Sequence, residues 1–241
     1  MELVNLYTRQ HENSLHELNA KGFMTNKKLY VDLHMGDIAP FFSRKYDKFV
    51  EMAEKRLKRP SGVEYPIWCS VSKENCLKAV EKSVVYCLQV PKDQVIYFSS
   101  IKWDYVLNNL YIPINEDDEK AFEKKIKELG CKDRFNFIDG KYKGMYPNIE
   151  REIIDSWERI FDIDVWDCFK VQANLWQIKK EWVKHIIYPG NDFFKITADM
   201  TDDMLKHNPN YKEWYSEKII SNFASLCIIV HGLQYKTNRR V

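Results

Sequence analysis

Glycine is scarce in this chain, with eight among 241 residues, and the motifs built on glycine are missing. No G-x-x-x-x-G-K-[ST], no G-x-G-x-x-G behind a strand and no G-x-S-x-G occurs, which excludes a glycine-rich phosphate cradle and a serine-hydrolase elbow. The metalloprotease pattern H-E-x-x-H is also missing. Six cysteines, at 69, 76, 87, 131, 168 and 227, are scattered without a C-x-x-C pair or a histidine at zinc-ligand spacing; they read as small buried hydrophobes, and no metal is expected. A large net charge is missing too: 37 basic against 35 acidic residues leave +2, so no global field recruits nucleic acid or an anionic membrane. No apolar run approaches the ~18 residues of a spanning helix. The amino terminus lacks the basic and then apolar pattern of a signal peptide, and the expected location is the cytoplasm. Six histidines stand without a companion to orient them, so each reads as structural or solvated.

What is present is ample apolar material: 45% hydrophobic and 14% aromatic residues, enough for a sizeable core in one α+β domain over residues 1–190. Leu3 to Tyr7 reads as a strand. Ser14-x-x-Glu17 forms a capping box for a short helix that Gly22 stops. Tyr46, Phe49, Val50, Ala53 and Leu57 fall at helical spacing, predicting a helix over Ser43 to Arg59 that Pro60-Ser61-Gly62 ends. Tyr65 to Val71, Ser83 to Val90 and Gln94 to Phe98 are aromatic and β-branched and read as strands. Ser100 caps a helix bearing Trp103, Val106 and Leu110; Phe122, Ile126 and Leu129 mark another, and Ile149, Ile153, Trp157 and Ile160 a third. Val171 to Leu175 alternates as a half-buried strand. From about Asn191 the pattern turns helical, with Ile220, Phe223, Ala224, Cys227 and Ile228 in register, and residues 191–241 read as a helical extension packed on the domain.

Two polar groups in this apolar background invite a site. Thr8, Arg9 and Gln10 stand at the end of the first strand, as a solvated turn or as one wall of a pocket. Gln172 and Asn174, two apart on a strand, share one face. Their i, i+2 spacing lets Thr8 and Gln10 converge with Gln172 and Asn174 on one small ligand. Tyr46 and Trp68 are candidates to stack on its ring, although Tyr46 is also in line with the core positions of its helix. Glu158 and Arg159 read as a solvated pair.

The segments "LYTRQ", "KYDKFVEMAEKR", "EYPIW", "SVVYCLQVPKDQVIYFSSIKWDYVLNNLYIP", "IIDSWERIFDID" and "VQANLWQIKKEWVKHI", in that order, resemble the bacterial domain-of-unknown-function family 3841 over residues 1–189. The order of parts is also similar to the ADP-ribosyltransferase fold: a first strand ending in polar residues, a short helix with "KGF", a strand with "VPKDQVI", and a late strand followed by "WVKHI". That resemblance implies a split antiparallel or mixed sheet with flanking helices. It implies NAD as substrate, with Thr8, Arg9 and Gln10 on the nicotinamide side, Tyr46 and Trp68 stacking, and Gln172 and Asn174 orienting the ribose. Related toxins place a glutamate after an alanine on the late strand. Here Gln172-Ala173-Asn174 offers hydrogen bonds but no negative charge, and loss of a preorganised charge at such a site costs ~10²-fold or more in rate.

Two functions therefore stand side by side. One is an ADP-ribosyltransferase-like protein that binds NAD or a related nucleotide and transfers ADP-ribose to a macromolecular acceptor. The other is a non-enzymatic interaction module on a degenerate transferase-like fold that engages a protein through the same concave surface or through the carboxy-terminal helix. Lys236, Arg239 and Arg240 are too few to make nucleic acid the expected partner.

Overall fold

A computed structural model describes residues 2–202 of the chain. The first strand, β1 (Leu3–His11), is longer than expected and keeps Thr8, Arg9 and Gln10 inside it, because Gln10 and His11 pair with Val84 and Ser83. Helix α1 (Ser14–Lys21) ends on Gly22 at φ 77°, in the left-handed region where glycine costs least. The predicted capping box does not form: the Ser14 hydroxyl is instead 2.8 Å from the Tyr86 hydroxyl. A two-residue β2 (Phe23–Met24), α2 (Lys28–Met35) and α3 (Ala39–Glu54) follow. Pro40 lets α3 begin four residues before the predicted start, since the first turn needs no donor there.

Next come β3 (Ile67–Ser70), β4 (Ser83–Pro91), β5 (Ile96–Ser99) and α4 (Ser100–Leu107). The cap of α4 is Ser99, which accepts from Lys102 N, and not Ser100, whose hydroxyl donates to Phe169 O at 2.9 Å. Helix α5 (Glu116–Glu128) starts on an Asn115 cap, and α6 (Pro147–Ser156) runs into a 3₁₀ turn over Trp157–Phe161. Strands β6 (Val171–Leu175), β7 (Ile178–Lys179) and β8 (Val183–Ile187) and a short α7 (Phe193–Ile196) complete the described chain. The predicted stripe from Ile220 to Ile228 lies outside the described residues. Of the predicted extension from Asn191, the part described holds only α7 as helix.

Six strands form one antiparallel sheet in the order β5-β6-β3-β1-β4-β8. Strand β4 sits between two neighbours and is buried almost throughout, which is why it reads as a continuous apolar run and not as an alternation. Strands β1 and β4 pair along all of β1, whereas β1 and β3 share a single registered pair, Tyr7 with Ser70. The three-stranded runs β5-β6-β3 and β1-β4-β8 thus meet through that single registered pair, a sparse junction that forms the split of the sheet. One face packs Val4, Leu6, Tyr86, Leu88, Cys69, Ala173 and Leu175 against Leu18 of α1 and Trp182. On the other face the β5-β6-β3 half carries an aromatic core, with Phe49 of α3 in contact with Trp68, Phe98, Trp103 and Phe161. The β1-β4-β8 half of that second face is covered by Phe193 and Met200, which pack on Tyr7, Val85, Cys87 and Ile187.

Among the described residues, the cysteines form no disulfide and Cys69, Cys87, Cys131 and Cys168 are buried, as read from their spacing. Trp103 and Trp157 are core residues, also as read. No described helix is long and apolar enough to cross a membrane.

Candidate functional site

Where β1 and β3 part, side chains take over from the main chain. The Thr8 hydroxyl donates to Trp68 O at 2.7 Å, and Gln10 Nε2 donates to that same hydroxyl at 2.8 Å. Thr8 is buried at 3% exposure, so both of its hydrogen bonds replace ladder bonds that the split removes. Thr8→Val keeps the shape but strands the Trp68 carbonyl and the Gln10 amide, and is expected to cost about 1–3 kcal/mol. Urea unfolding with an unchanged slope and a lower midpoint checks it.

The cross-strand rows decide which predicted residues meet. Tyr7, Ser70, Gln172 and Phe98 are partners in one row, and Trp68, Asn174 and Ile96 in the next. Residues opposite one another in a row point to the same face, and the next residue along points to the other. Arg9 therefore shares a face with Trp68, Ser70, Gln172 and Asn174, while Thr8 and Gln10 point to the opposite face with Cys69 and Ala173. The expected convergence of Thr8 and Gln10 with Gln172 and Asn174 does not occur. The i, i+2 spacing was right within each strand, but the pairing between strands sets the two polar pairs one residue out of phase.

Burial divides the remaining candidates. Asn174 is 0% exposed, its Nδ2 donates to Ile67 O at 3.4 Å, and its Oδ1 has no partner. It lies within the aromatic core beside Trp68 and cannot touch a ligand without that core opening. Tyr46 packs on Trp68 and Trp103 with ring centroids 5.2 and 5.5 Å apart, and burial pushes its phenol up to about 12; it is a core residue first. Arg9, Ser70 and Gln172 are half-buried, and so is Trp68, which packs in the same aromatic cluster as Tyr46. Arg9 Nη1 donates to Lys78 O at 3.3 Å and Ser70 Oγ to Asn75 O at 3.0 Å, so both lean on the loop that follows β3. The Gln172 amide makes no side-chain hydrogen bond among the described residues, leaving its donors and acceptor unspent.

Two other places compete. A cavity of about 630 Å³ is lined by Lys28, Asp47, Glu54, Arg59 and Tyr65. Its charges are already matched, Lys28 to Asp47 at 3.1 Å and Arg59 to Glu54 at 3.3 Å, and no residue of the split lines it. Lys45 of α3 was not singled out by its sequence, where it reads as one of many surface lysines. It is 3% exposed, with its ammonium 3.4 Å from the Phe41 ring centre and 3.8 Å from Asp139. Burial lowers its pKa to about 8, against the opposing pull of Asp139. Glu158 and Arg159 do not pair with each other: Glu158 takes Lys55, while Arg159 lies over the Tyr111 ring and near Asp118. Ser70 was also not predicted, and only its pairing opposite Gln172 brings it to the split.

A family model described as Domain of unknown function (DUF3841) matches residues 5–184. No curated protein and no solved structure matches the chain.

Proposed function

The chain belongs to the DUF3841 family, and we propose that this member binds NAD or a related dinucleotide at the parting of β1 and β3, on the face that carries Arg9, Ser70, Trp68 and Gln172. The observation that carries this reading is the split itself. The two strands share one registered pair, a side-chain bond from Thr8 to Trp68 O stands in for the ladder beside it, and half-buried polar side chains from both banks share one face there. Arg9 supplies a permanent cation for a phosphate or carboxamide oxygen, and Gln172 supplies an amide for ribose or nicotinamide, beside the half-buried Trp68. This revises the wall expected from the sequence: Thr8 and Gln10 hold the strands, and Arg9 takes the ligand side. The ADP-ribosyltransferase resemblance supports the choice of ligand.

Transfer of ADP-ribose is slow in this reading. The strand that faces the ligand offers Gln172 and a buried Asn174 and places no carboxylate beside the cation that develops as nicotinamide leaves. Calorimetric titration with NAD tests the proposal. Wild-type protein binds saturably, and Arg9→Ala and Gln172→Ala each weaken binding about 10-fold or more with the fold intact. No saturable binding by wild type overturns it.

A second reading has its own observation. Leu29 and Leu33, one turn apart on α2, are 60% and 71% exposed, with Tyr30 beside them at 50%. An apolar helix face of this kind suits a protein partner. An NAD-silent protein whose partner binding is lost on Leu33→Asp favours the interaction module.

A further inference from the structure

We propose that residues 192–202 form a strap that clamps the loop over residues 71–80 onto Arg9 and Ser70, so that release of the strap opens the face of the split on which these residues stand. The ligand named above is needed only for one arm of the test; the clamp rests on contacts within the chain.

The strap starts beyond the stretch matched by the family model, which ends at residue 184, and it docks by apolar and polar contacts together. Phe193 meets Tyr7 edge-on with ring centroids 5.9 Å apart, and Met200 fills the same small core with Val85, Cys87 and Ile187. Lys73, in the loop, donates its ammonium to Thr197 O at 3.2 Å and Met200 O at 2.7 Å, and its backbone N–H to Asp202 Oδ1 at 3.2 Å. Asn5 of β1 donates to Thr201 O at 2.7 Å, and His185 of β8 pairs with Asp199 at 2.8 Å.

The loop is thus held between two partners. On the strap side it gives Lys73, with Cys76 and Ala79 packed on the Phe193 and Met200 core. On the sheet side its carbonyls at Asn75 and Lys78 accept from Ser70 and Arg9. Asn75 Nδ2 also ties it to Cys168 O at 2.6 Å. A ligand that uses the Arg9 guanidinium or the Ser70 hydroxyl competes with those carbonyls, and the strap, together with the Asn75 bond to Cys168 O, holds them in place.

The strap also carries a buried acid. Asp202 is 2% exposed; burial first, and the nearby Glu74 carboxylate second, push its pKa up to about 6, against Lys73. The Tyr7 hydroxyl lies near this carboxyl without closing a well-formed hydrogen bond to it. A carboxyl whose docked pKa is raised favours docking fully below its free value and loses that contribution as pH rises through the docked one. Docking is therefore firmer at pH 5.5 than at pH 8.

Hydrogen exchange on the full chain tests the clamp. Phe193→Ala loosens the strap from its own side. The expected result is exchange about tenfold faster in residues 192–202 and, with it, in residues 71–80, while β6 and α3 keep their protection. Asp202→Asn, which removes the buried charge and keeps the shape, is expected to slow exchange in both segments at pH 8 and to flatten their pH dependence after correction for intrinsic rates. It also supplies the test should Phe193→Ala fail to fold. Titration with NAD adds a second readout: a loosened strap raises the competent fraction and tightens apparent binding in proportion. If neither protein binds NAD while the two segments still exchange together, the clamp stands and the NAD reading falls. Faster exchange of the strap with unchanged protection of residues 71–80 overturns the clamp.

Discussion

Replacing Asn174 with glutamate is expected to cost about 3–5 kcal/mol at neutral pH, the scale of an uncompensated buried charge, and to leave a large part of a marginally stable domain unfolded. A reading from the sequence alone predicts a gain in a different quantity, faster nicotinamide release, since a glutamate at this position restores the carboxylate of related transferases. Burial decides between them. The side chain is 0% exposed and its present donor bonds to Ile67 O, so a carboxylate there loses that bond, faces a carbonyl lone pair and gains no cation. The new carboxyl ionises only with difficulty, and its folded pKa rises well above the unfolded value of about 4.3. Stability is then greatest below that unfolded value and falls as pH rises through the folded one, by up to about 1.4 kcal/mol per pH unit. Thermal melts of Asn174→Glu at pH 5 and pH 8 check this, with the higher melting temperature expected in acid. Asn174→Leu is the control. It removes the unpartnered Oδ1 together with one long hydrogen bond, and a change within about 1 kcal/mol is expected.

Phe49→Ala is expected to destabilise by a similar amount, about 3–5 kcal/mol. Phe49 is 0% exposed and touches Trp68, Phe98, Trp103 and Phe161 with ring centroids between 5.0 and 5.9 Å. It joins α3, β5, α4 and the 3₁₀ turn after α6 through one side chain. Truncation leaves a cavity lined by rings too large to collapse into it. The loss falls on the β5-β6-β3 half, so Trp68 on one bank of the split is released while Arg9 on the other stays. Denaturant midpoints measure the global cost, and the shift of the Trp68 indole N–H resonance in the otherwise unchanged protein reports the local one. A cost below about 1 kcal/mol contradicts the assignment of Phe49 to the centre of this core.

The segments that were legible in the sequence are those whose pattern is set by one neighbour. Val171 to Leu175 appears as a strand with the predicted bounds although both of its faces are covered, and Tyr46 to Ala53 appears as a helix face because helical spacing is a local consequence of burial on one side. Boundaries slipped where a local alternative won. Ser14 turned to Tyr86 and not to its own helix, and Ser99 took the cap expected of Ser100. Strand β8 carries no clean alternation and shows itself only by pairing with β4 from Val85 to Leu88.

The site was legible in part, for a reason that lies in the sheet. Spacing within a strand fixes which residues share its face, so Gln172 and Asn174 were correctly placed together. Which face of β1 joins them depends on the register between strands that are distant in sequence, and that register rests on the Tyr7 and Ser70 pair. Shifting it by one residue exchanges Arg9 for Thr8 and Gln10. No local pattern in "LYTRQH" carries that information, nor does any show that Asn174 lies under the aromatic core.

The most direct test of NAD binding at the split is an amide and indole NMR titration of the full chain. The proposed face predicts that the Gln172 side-chain amide, the Trp68 indole N–H and the backbone of residues 75–78 shift together and saturate with NAD, while the Gln10 side-chain amide, fixed to Thr8 on the opposite face, keeps its position. Shifts confined to Gln10, Ser14 and Tyr86, or no saturable shift at Gln172 and Trp68, contradict it.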